Sequence, residues 1–177
     1  MAILQDKANH SEARSALFAS DSNELADSIE LAMRLGQFEI LFQPQFASRT
    51  SAVIGAEALA RWIHPHFGKI GARDLFAMAT KAGLAHDLSR YLTTHAMAVA
   101  SHWPEGIGLS LNIAPRQLLA ADFIDRIGAD LGAAAFDPAQ VTLEITEEVL
   151  LGDLDLAARQ LGRLRELGMK GALDDFG

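Results

Sequence analysis

The chain has 177 residues, of which half are hydrophobic and none is cysteine, and its formal net charge is −8. This apolar content suffices for the core of one globular domain and argues against disorder. The acidic balance argues against a nucleic-acid surface built on a basic patch, and the lack of cysteine excludes disulfides and thiolate zinc sites. No apolar stretch is long enough for a signal peptide or a membrane span, so we expect a cytoplasmic location, with any membrane anchor in segments outside this chain.

The first predicted elements are a helix and two strands. Residues 22–36 carry apolar side chains at helical spacing, with Ser22 as the expected N-cap and Gly36 as the terminator. FEILFQPQF (38–46) and SAVIGAEALARW (51–62) are predicted strands joined by a polar turn. Because the connection is so short, this first pair should be antiparallel.

After a predicted loop at residues 64–72, helices and strands alternate. Helices are predicted at 73–83, from Asp87 to Trp103, at 122–132 with Asp122 as cap, and around Leu154 to Leu164, the last opened by Asp153 or Asp155 and stopped by Gly168. Strands are predicted at 107–114, 140–148 and 169–177. Since a helix separates each later strand from the next, these strands should be parallel neighbours.

The repeated strand–helix–strand unit predicts an α/β fold, in particular a TIM-like (β/α)8 barrel with an antiparallel first strand. Neither G-x-G-x-x-G nor G-x-x-x-x-G-K-[ST] follows a strand, which argues against a doubly wound nucleotide-binding sheet. A complete barrel of this type has eight strands and about 250 residues. Because only about five strands are predicted, we expect the chain to contain the first part of the barrel, truncated after the strand that ends in DDFG.

Acids and one carboxamide end four of the predicted strands. They are Glu57, Asn112, Glu144 with Glu147 and Glu148, and Asp174 with Asp175. The C-terminal strand ends carry the chemistry in such barrels, and crowded oxygen ligands suit Mg²⁺ or Mn²⁺. The adjacent aspartates point to different sides and allow a two-metal site for phosphoester hydrolysis. A solvated loop acid or a helix N-cap explains any one position alone, but the recurrence on four strands favours a site.

Five motifs in chain order resemble the EAL family of cyclic di-GMP phosphodiesterases. They are FQPQ (42–45), GAEALARW (55–62), LSLNIAPRQL (109–118), VTLEITEEVL (141–150) and ALDDFG (172–177). The resemblance covers Glu24 to Gly177. The chain departs from the usual family residues at Gln45 (usually Ile), Ala60 (usually Leu) and Ile113-Ala114 (usually Leu-Ser), and none of these changes removes a ligand.

The resemblance implies a two-ion site that holds Mg²⁺ or Mn²⁺. Residues matching family metal ligands are Glu57, Asn112, Glu144 and Asp174. Asp175 matches a residue that helps to bind the second ion and orients the attacking water. Asp175 and Glu57 are therefore the expected catalytic residues.

The resemblance also implies substrate contacts. Arg61 matches an arginine that contacts a substrate phosphate, and Gln43 matches a glutamine near the ligand. Glu147 matches a glutamate that supports the loop after the DDFG strand. The family's later motifs supply a catalytic lysine, another metal-binding glutamate and a glutamine, which would lie beyond Gly177.

The implied function is hydrolysis of cyclic di-GMP to linear pGpG in bacterial second-messenger signalling, with little activity expected of the isolated chain. Two alternatives stay open: a cyclic di-GMP receptor that does not cleave its ligand, and an interaction module that pairs with a second copy as a homodimer. Residues 1–21 weakly resemble the end of a GGDEF domain, and an ordinary linker helix is the alternative. The parent chain is expected to carry GGDEF or sensory domains, and no nucleic-acid polymer is expected as a partner.

Overall fold

The computed structural model describes residues 20–146 and 153–174, which fall into two compact units. In chain order the elements are α1 (Ser22–Leu35), β1 (Phe38–Phe46), β2 (Val53–His64), β3 (Gly68–Gly71), α2 (Ala72–Lys81), α3 (Ala85–Ala100), β4 (Gly108–Ile113), α4 (Pro115–Leu118), α5 (Phe123–Ala134), a 3-10 turn (Pro138–Gln140), β5 (Val141–Thr146), α6 (Leu154–Glu166) and β6 (Lys170–Asp174). The first unit comprises the described residues up to Leu41 and Ala60–Leu92. The second comprises Phe42–Leu59 and the described residues from Thr93 onward.

The first unit has an apolar core to which every one of its elements contributes. Its buried members include Leu25, Ile29, Trp62, Ile70, Leu75, Met78 and Leu88. Helix α1 begins at Asp21, whose Oδ1 accepts hydrogen bonds from the backbone N–H groups of Asn23 (2.8 Å) and Glu24 (2.9 Å). The prediction of Ser22 as the N-cap is wrong by one residue. Asp21 is the N-cap, because it has the extended backbone that this position needs, and Ser22 is the first residue of the helix. The helix ends at Gly36 with φ of 64°, as predicted.

The segment predicted as a loop at 64–72 contains strand β3. This strand pairs antiparallel with the end of β2, from Arg61 opposite Gly71 to His64 opposite Gly68. Gly68 has φ of 66°, which suits a tight reversal between the two strands. Among the described residues the sheet therefore has six strands rather than about five, and β2 continues to His64 because β3 provides its hydrogen-bond partners.

His64 closes this turn through its ring. Its Nδ1 accepts hydrogen bonds from the backbone N–H groups of His66 (3.1 Å) and Phe67 (3.3 Å), so the neutral ring carries its proton on Nε2. His64 is 8% exposed, and its ring centroid lies 4.8 Å from that of Trp62 and 4.4 Å from that of Phe67. Burial, and then the charge of His66, lower the pKa of His64 below its ordinary value of 6.5.

We expect the free energy of unfolding to fall as the pH drops below 6.5. The pKa of His64 is lower in the folded than in the unfolded state. The neutral ring therefore contributes fully to the free energy of unfolding above the unfolded-state pKa, and this contribution is lost as the pH falls through the folded-state pKa. Urea unfolding of the wild type and of His64→Asn from pH 7.5 to 5 measures this, since asparagine keeps an acceptor but cannot titrate. His102→Asn, at an exposed histidine, is the control. Equal pH slopes for wild type and His64→Asn would contradict this assignment.

In the second unit the strands lie in the order β1-β2-β4-β5-β6. The last four are parallel neighbours, as predicted. The backbone of Ala47 donates to Ala52 at 2.9 Å beside the turn, and in the first unit Ile63 donates to Gln37 at 2.8 Å. These two hydrogen bonds, one near each end of the β1–β2 hairpin, confirm the antiparallel first pair.

The parallel strands of the second unit separate apolar from polar side chains. Leu109, Leu111 and Ile113 of β4 and Val141, Leu143 and Ile145 of β5 are buried. The alternate positions are polar and include Ser110, Asn112, Thr142 and Glu144. Because side chains alternate along a strand, one face of these strands belongs to the core and the other presents polar groups.

The helices of the second unit refine the predicted boundaries. Asp153 caps α6 by accepting from the backbone N–H of Leu156 at 2.9 Å, which decides between the two predicted openers. Asp122 precedes α5 as predicted, but its carboxylate pairs with Arg126 at 2.8 Å instead of capping the helix. Helix α3 ends at Ala100 rather than Trp103, since Pro104 disfavours helical backbone in the residue before it. Within the described ranges, no helix combines the length and apolar character of a membrane span.

Candidate active site

Strand register brings the predicted site residues of the second unit onto one sheet face. Glu57 of β2 lies opposite Ser110 of β4, and Asn112 of β4 lies opposite Glu144 of β5. Residues in register on neighbouring strands project to the same side of a sheet. Three candidate ligands from three adjacent strands therefore share the polar face.

Two of these residues are in direct contact. Asn112 Nδ2 donates a hydrogen bond to Glu57 Oε1 at 2.6 Å, which joins β4 to β2. An amide nitrogen can only donate and a carboxylate only accept, so the amide oxygen of Asn112 is the atom with which it would bind a cation. Glu57 and Glu144 are half-buried and Asn112 is exposed, so water and ligands can reach the group.

Glu57 does not lie at the end of its strand, contrary to the prediction. Strand β2 continues seven residues past it, to His64. Its pairing with β4 nevertheless stops at Ala58 opposite Leu111, and beyond this point β2 pairs with β3 instead. Glu57 is thus next to the C-terminal end of the parallel pairing between β2 and β4. The prediction concerned this edge of the parallel strands.

The structure reveals a contact of Glu144 that was not predicted from the sequence. Gln45 Nε2 of β1 donates to Glu144 Oε1 at 3.1 Å and to Ser110 Oγ at 3.1 Å. Ser110 is only 3% exposed. The sequence predicts part of this contact, because Ser110 lies between buried leucines and a buried hydroxyl needs a hydrogen-bond partner. No nearby sequence feature identifies Gln45 as that partner.

The remaining predicted site residues are placed only in part. Gln43 is exposed on β1, and Asp174 ends β6, where its backbone lies opposite Thr146. Asp175 and Glu147 lie outside the described residues, as does Glu148. Arg61 belongs to the first unit, where its guanidinium donates to the carbonyl oxygen of Ala60 at 2.7 Å.

The described donors fit a hard divalent cation by their chemistry. Glu57, Asn112 and Glu144 offer only oxygen ligands, which Mg²⁺ and Mn²⁺ prefer. Among the side chains that the structure describes, no group of three or more His, Cys, Asp or Glu residues could hold a metal.

Proteins from several bacteria are similar to this chain over most of its length. The family model of the EAL domain matches residues 26–177. An uncharacterised protein of Mycobacterium tuberculosis is 35% identical over 174 residues, which is 92% of this chain and 28% of that protein. A cyclic di-GMP phosphodiesterase of Pseudomonas aeruginosa is 32% identical over 143 residues, 79% of this chain and 24% of that protein. The chain thus spans about a quarter of the length of these curated relatives.

Solved structures show the same fold. The MucR phosphodiesterase in complex with c-di-GMP superposes with a TM-score of 0.81 at 26% identity, over 87% of this chain and 64% of that one. The FimX EAL domain from Pseudomonas aeruginosa, bound to c-di-GMP, gives a TM-score of 0.77 at 22% identity over 86% of this chain and 62% of that one. These matches confirm the predicted fold class, an α/β fold of the TIM-like barrel type. The chain belongs to the EAL domain family.

Proposed function

We propose that the chain is the N-terminal part of an EAL domain that hydrolyses cyclic di-GMP to linear pGpG. The observation that carries the proposal is the group of oxygen ligands Glu57, Asn112 and Glu144 on one face of three adjacent strands. Support comes from a relative that is 32% identical and bears the name cyclic di-GMP phosphodiesterase. In this proposal residues 1–21 are a linker or the end of a GGDEF domain, and the parent protein acts in the cytoplasm.

Two Mg²⁺ or Mn²⁺ ions are the proposed cofactors. Glu57, Asn112, Glu144, Asp174 and Asp175 would hold them. When bound, such ions polarise phosphate oxygens and make water a stronger nucleophile at neutral pH. The fit rests on the oxygen-only donor set and on the relief of repulsion between neighbouring carboxylates.

The side chains of the chain have separate roles in the proposed reaction. The Asn112–Glu57 hydrogen bond at 2.6 Å fixes the relative orientation of two ligands. Arg61 binds a phosphate of the substrate through its planar donor fork, and Gln43 contacts the ligand. Asp175 orients the water that attacks phosphorus. One P–O ester bond breaks, a new P–O bond to the water oxygen forms, and the leaving oxygen takes up a proton.

The test is cleavage of cyclic di-GMP by the full-length protein with Mg²⁺ or Mn²⁺, followed by chromatography of the nucleotides. We expect pGpG as product, and much less of it from the isolated 177-residue chain. Tight binding of cyclic di-GMP without turnover would refute hydrolysis and support a receptor. Neither binding nor turnover, together with a stable dimer in light scattering, would support an interaction module instead.

A further inference from the structure

We infer that Gln45 is a positioning residue for the divalent-cation site, acting through Glu144. The inference rests on the proposed function, since it takes Glu144 as a cation ligand. It goes beyond that function because Gln45 belongs to the antiparallel first strand, outside the four parallel strands on which the ligands lie. Gln45 itself would touch neither the cation nor the substrate.

The carboxamide of Gln45 is fully engaged in hydrogen bonds. Its Nε2 lies 3.1 Å from Glu144 Oε1 and 3.1 Å from Ser110 Oγ, so the amide nitrogen has acceptors on β5 and β4. The Ser110 hydroxyl donates to the Oε1 atom of Gln45 at 3.2 Å. A carboxylate only accepts, so the nitrogen and not the oxygen of the amide must face Glu144. Glu144 therefore sets which way the amide faces, and the buried hydroxyl of Ser110, which contacts both amide atoms, holds the carboxamide in place.

The contacts of Gln45 pass over strand β2 to reach Ser110 and over strands β2 and β4 to meet the side chain of Glu144. In the sheet order β1-β2-β4-β5, the two strands between Gln45 and Glu144 are β2 and β4. Gly55 of β2 makes room for this path, because a Cβ atom there would lie 3.2 Å from Gln45 Oε1 and 2.8 Å from the carbonyl oxygen of Gly108. Position 55 therefore requires glycine, because the Gln45 side chain and the Gly108 backbone both lie too close for a Cβ atom.

The consequence for the site is orientation of one ligand before a cation binds. A hydrogen bond from an amide to a charged carboxylate is stronger than one between neutral groups. Partners that orient metal ligands in this way are typically worth about 10- to 100-fold in metal affinity or activity. The effect on fold stability should be small, because Gln45 is polar and only half-buried.

The experiment measures Mn²⁺ binding to the full-length protein without substrate, by isothermal titration calorimetry, for the wild type and Gln45→Met. Methionine keeps the length of the side chain and removes its hydrogen bonds with Glu144 and Ser110. We expect the Kd for Mn²⁺ to rise about 10- to 100-fold. At saturating Mn²⁺ we expect the KM for cyclic di-GMP to stay unchanged, because the substrate contacts are intact. Gln140→Met is the control, at a half-buried glutamine before the N-terminal end of β5.

A second variant protects the test against misfolding. Ser110→Ala removes the anchor of the amide but leaves Glu144 and Gln45 in place, so we expect a smaller rise in Kd. In the Ser110→Ala background, Gln45→Met should then raise the Kd for Mn²⁺ by a smaller factor than it does in the wild type, because the effects of substitutions at residues in contact are not additive.

The possible results separate this inference from the proposed function. A wild type that binds Mn²⁺ but leaves cyclic di-GMP intact would refute hydrolysis, while a raised Kd in Gln45→Met would still support the role of Gln45. An unchanged Kd in Gln45→Met, with turnover by the wild type, would overturn the inference alone. Failure of the wild type to bind Mn²⁺ would overturn both.

Discussion

Replacing Glu57 by alanine is expected to lower kcat for cyclic di-GMP hydrolysis by more than about 100-fold, the upper end of what partners of metal ligands are worth. The change removes a proposed ligand and also the acceptor of the 2.6 Å hydrogen bond from Asn112. Two oxygen donors of the site are disturbed at once, so higher Mg²⁺ should restore little activity. Steady-state kinetics of the full-length protein across a range of Mg²⁺ concentrations measure the effect.

A matched control is available on the neighbouring strand. Glu39 is an exposed glutamate of β1, and its carboxylate lies 3.6 Å from Lys69 Nζ. Both residues belong to the first unit, whereas Glu57 belongs to the second, so Glu39→Ala leaves the proposed site intact. Exposed ion pairs contribute about 0–1 kcal/mol, so this variant should keep both its stability and its kcat. If Glu57→Ala turned over substrate as fast as Glu39→Ala, the proposed site would be refuted.

The parallel pairing of the later strands and the shared face of the proposed ligands could be predicted because they follow from local patterns. Alternation in residues 109–113 and 141–145 assigns Asn112 and Glu144 to the polar face, and the intervening helices dictate parallel pairing. The motif resemblance pointed to the same residues independently. Both arguments use short stretches of sequence and need no tertiary contact.

The features that were missed depend on contacts between distant residues. Strand β3 is only four residues long, and it forms because the end of β2 offers it hydrogen bonds. The contact of Gln45 with Glu144 joins positions 99 residues apart, and it requires a glycine at position 55. No local propensity encodes either contact, because their stabilisation arises only once the sheet has formed.

Replacing Trp62 by alanine is expected to cost about 3–5 kcal/mol in the free energy of unfolding, the usual loss for a buried tryptophan. The side chain is fully buried, and its ring centroid lies 5.5 Å from that of Phe38. Its Nε1 also donates to Gln37 Oε1 at 3.2 Å. Urea unfolding of the variant, compared with the wild type at the same pH, measures the loss.

Two further variants separate the causes of that loss. Trp62→Phe keeps most of the apolar packing and removes the hydrogen bond to Gln37. The free energy of unfolding of this variant should therefore fall by only about 1 kcal/mol. Trp103→Ala, at a half-buried tryptophan that packs on Phe42 at 4.9 Å, should cost less than Trp62→Ala because less surface is buried. Successive strand residues point to opposite faces, so the burial of Trp62 directs Arg61 away from this core. A Trp62→Ala protein that lost no more stability than Trp103→Ala would show that Trp62 does not anchor β2.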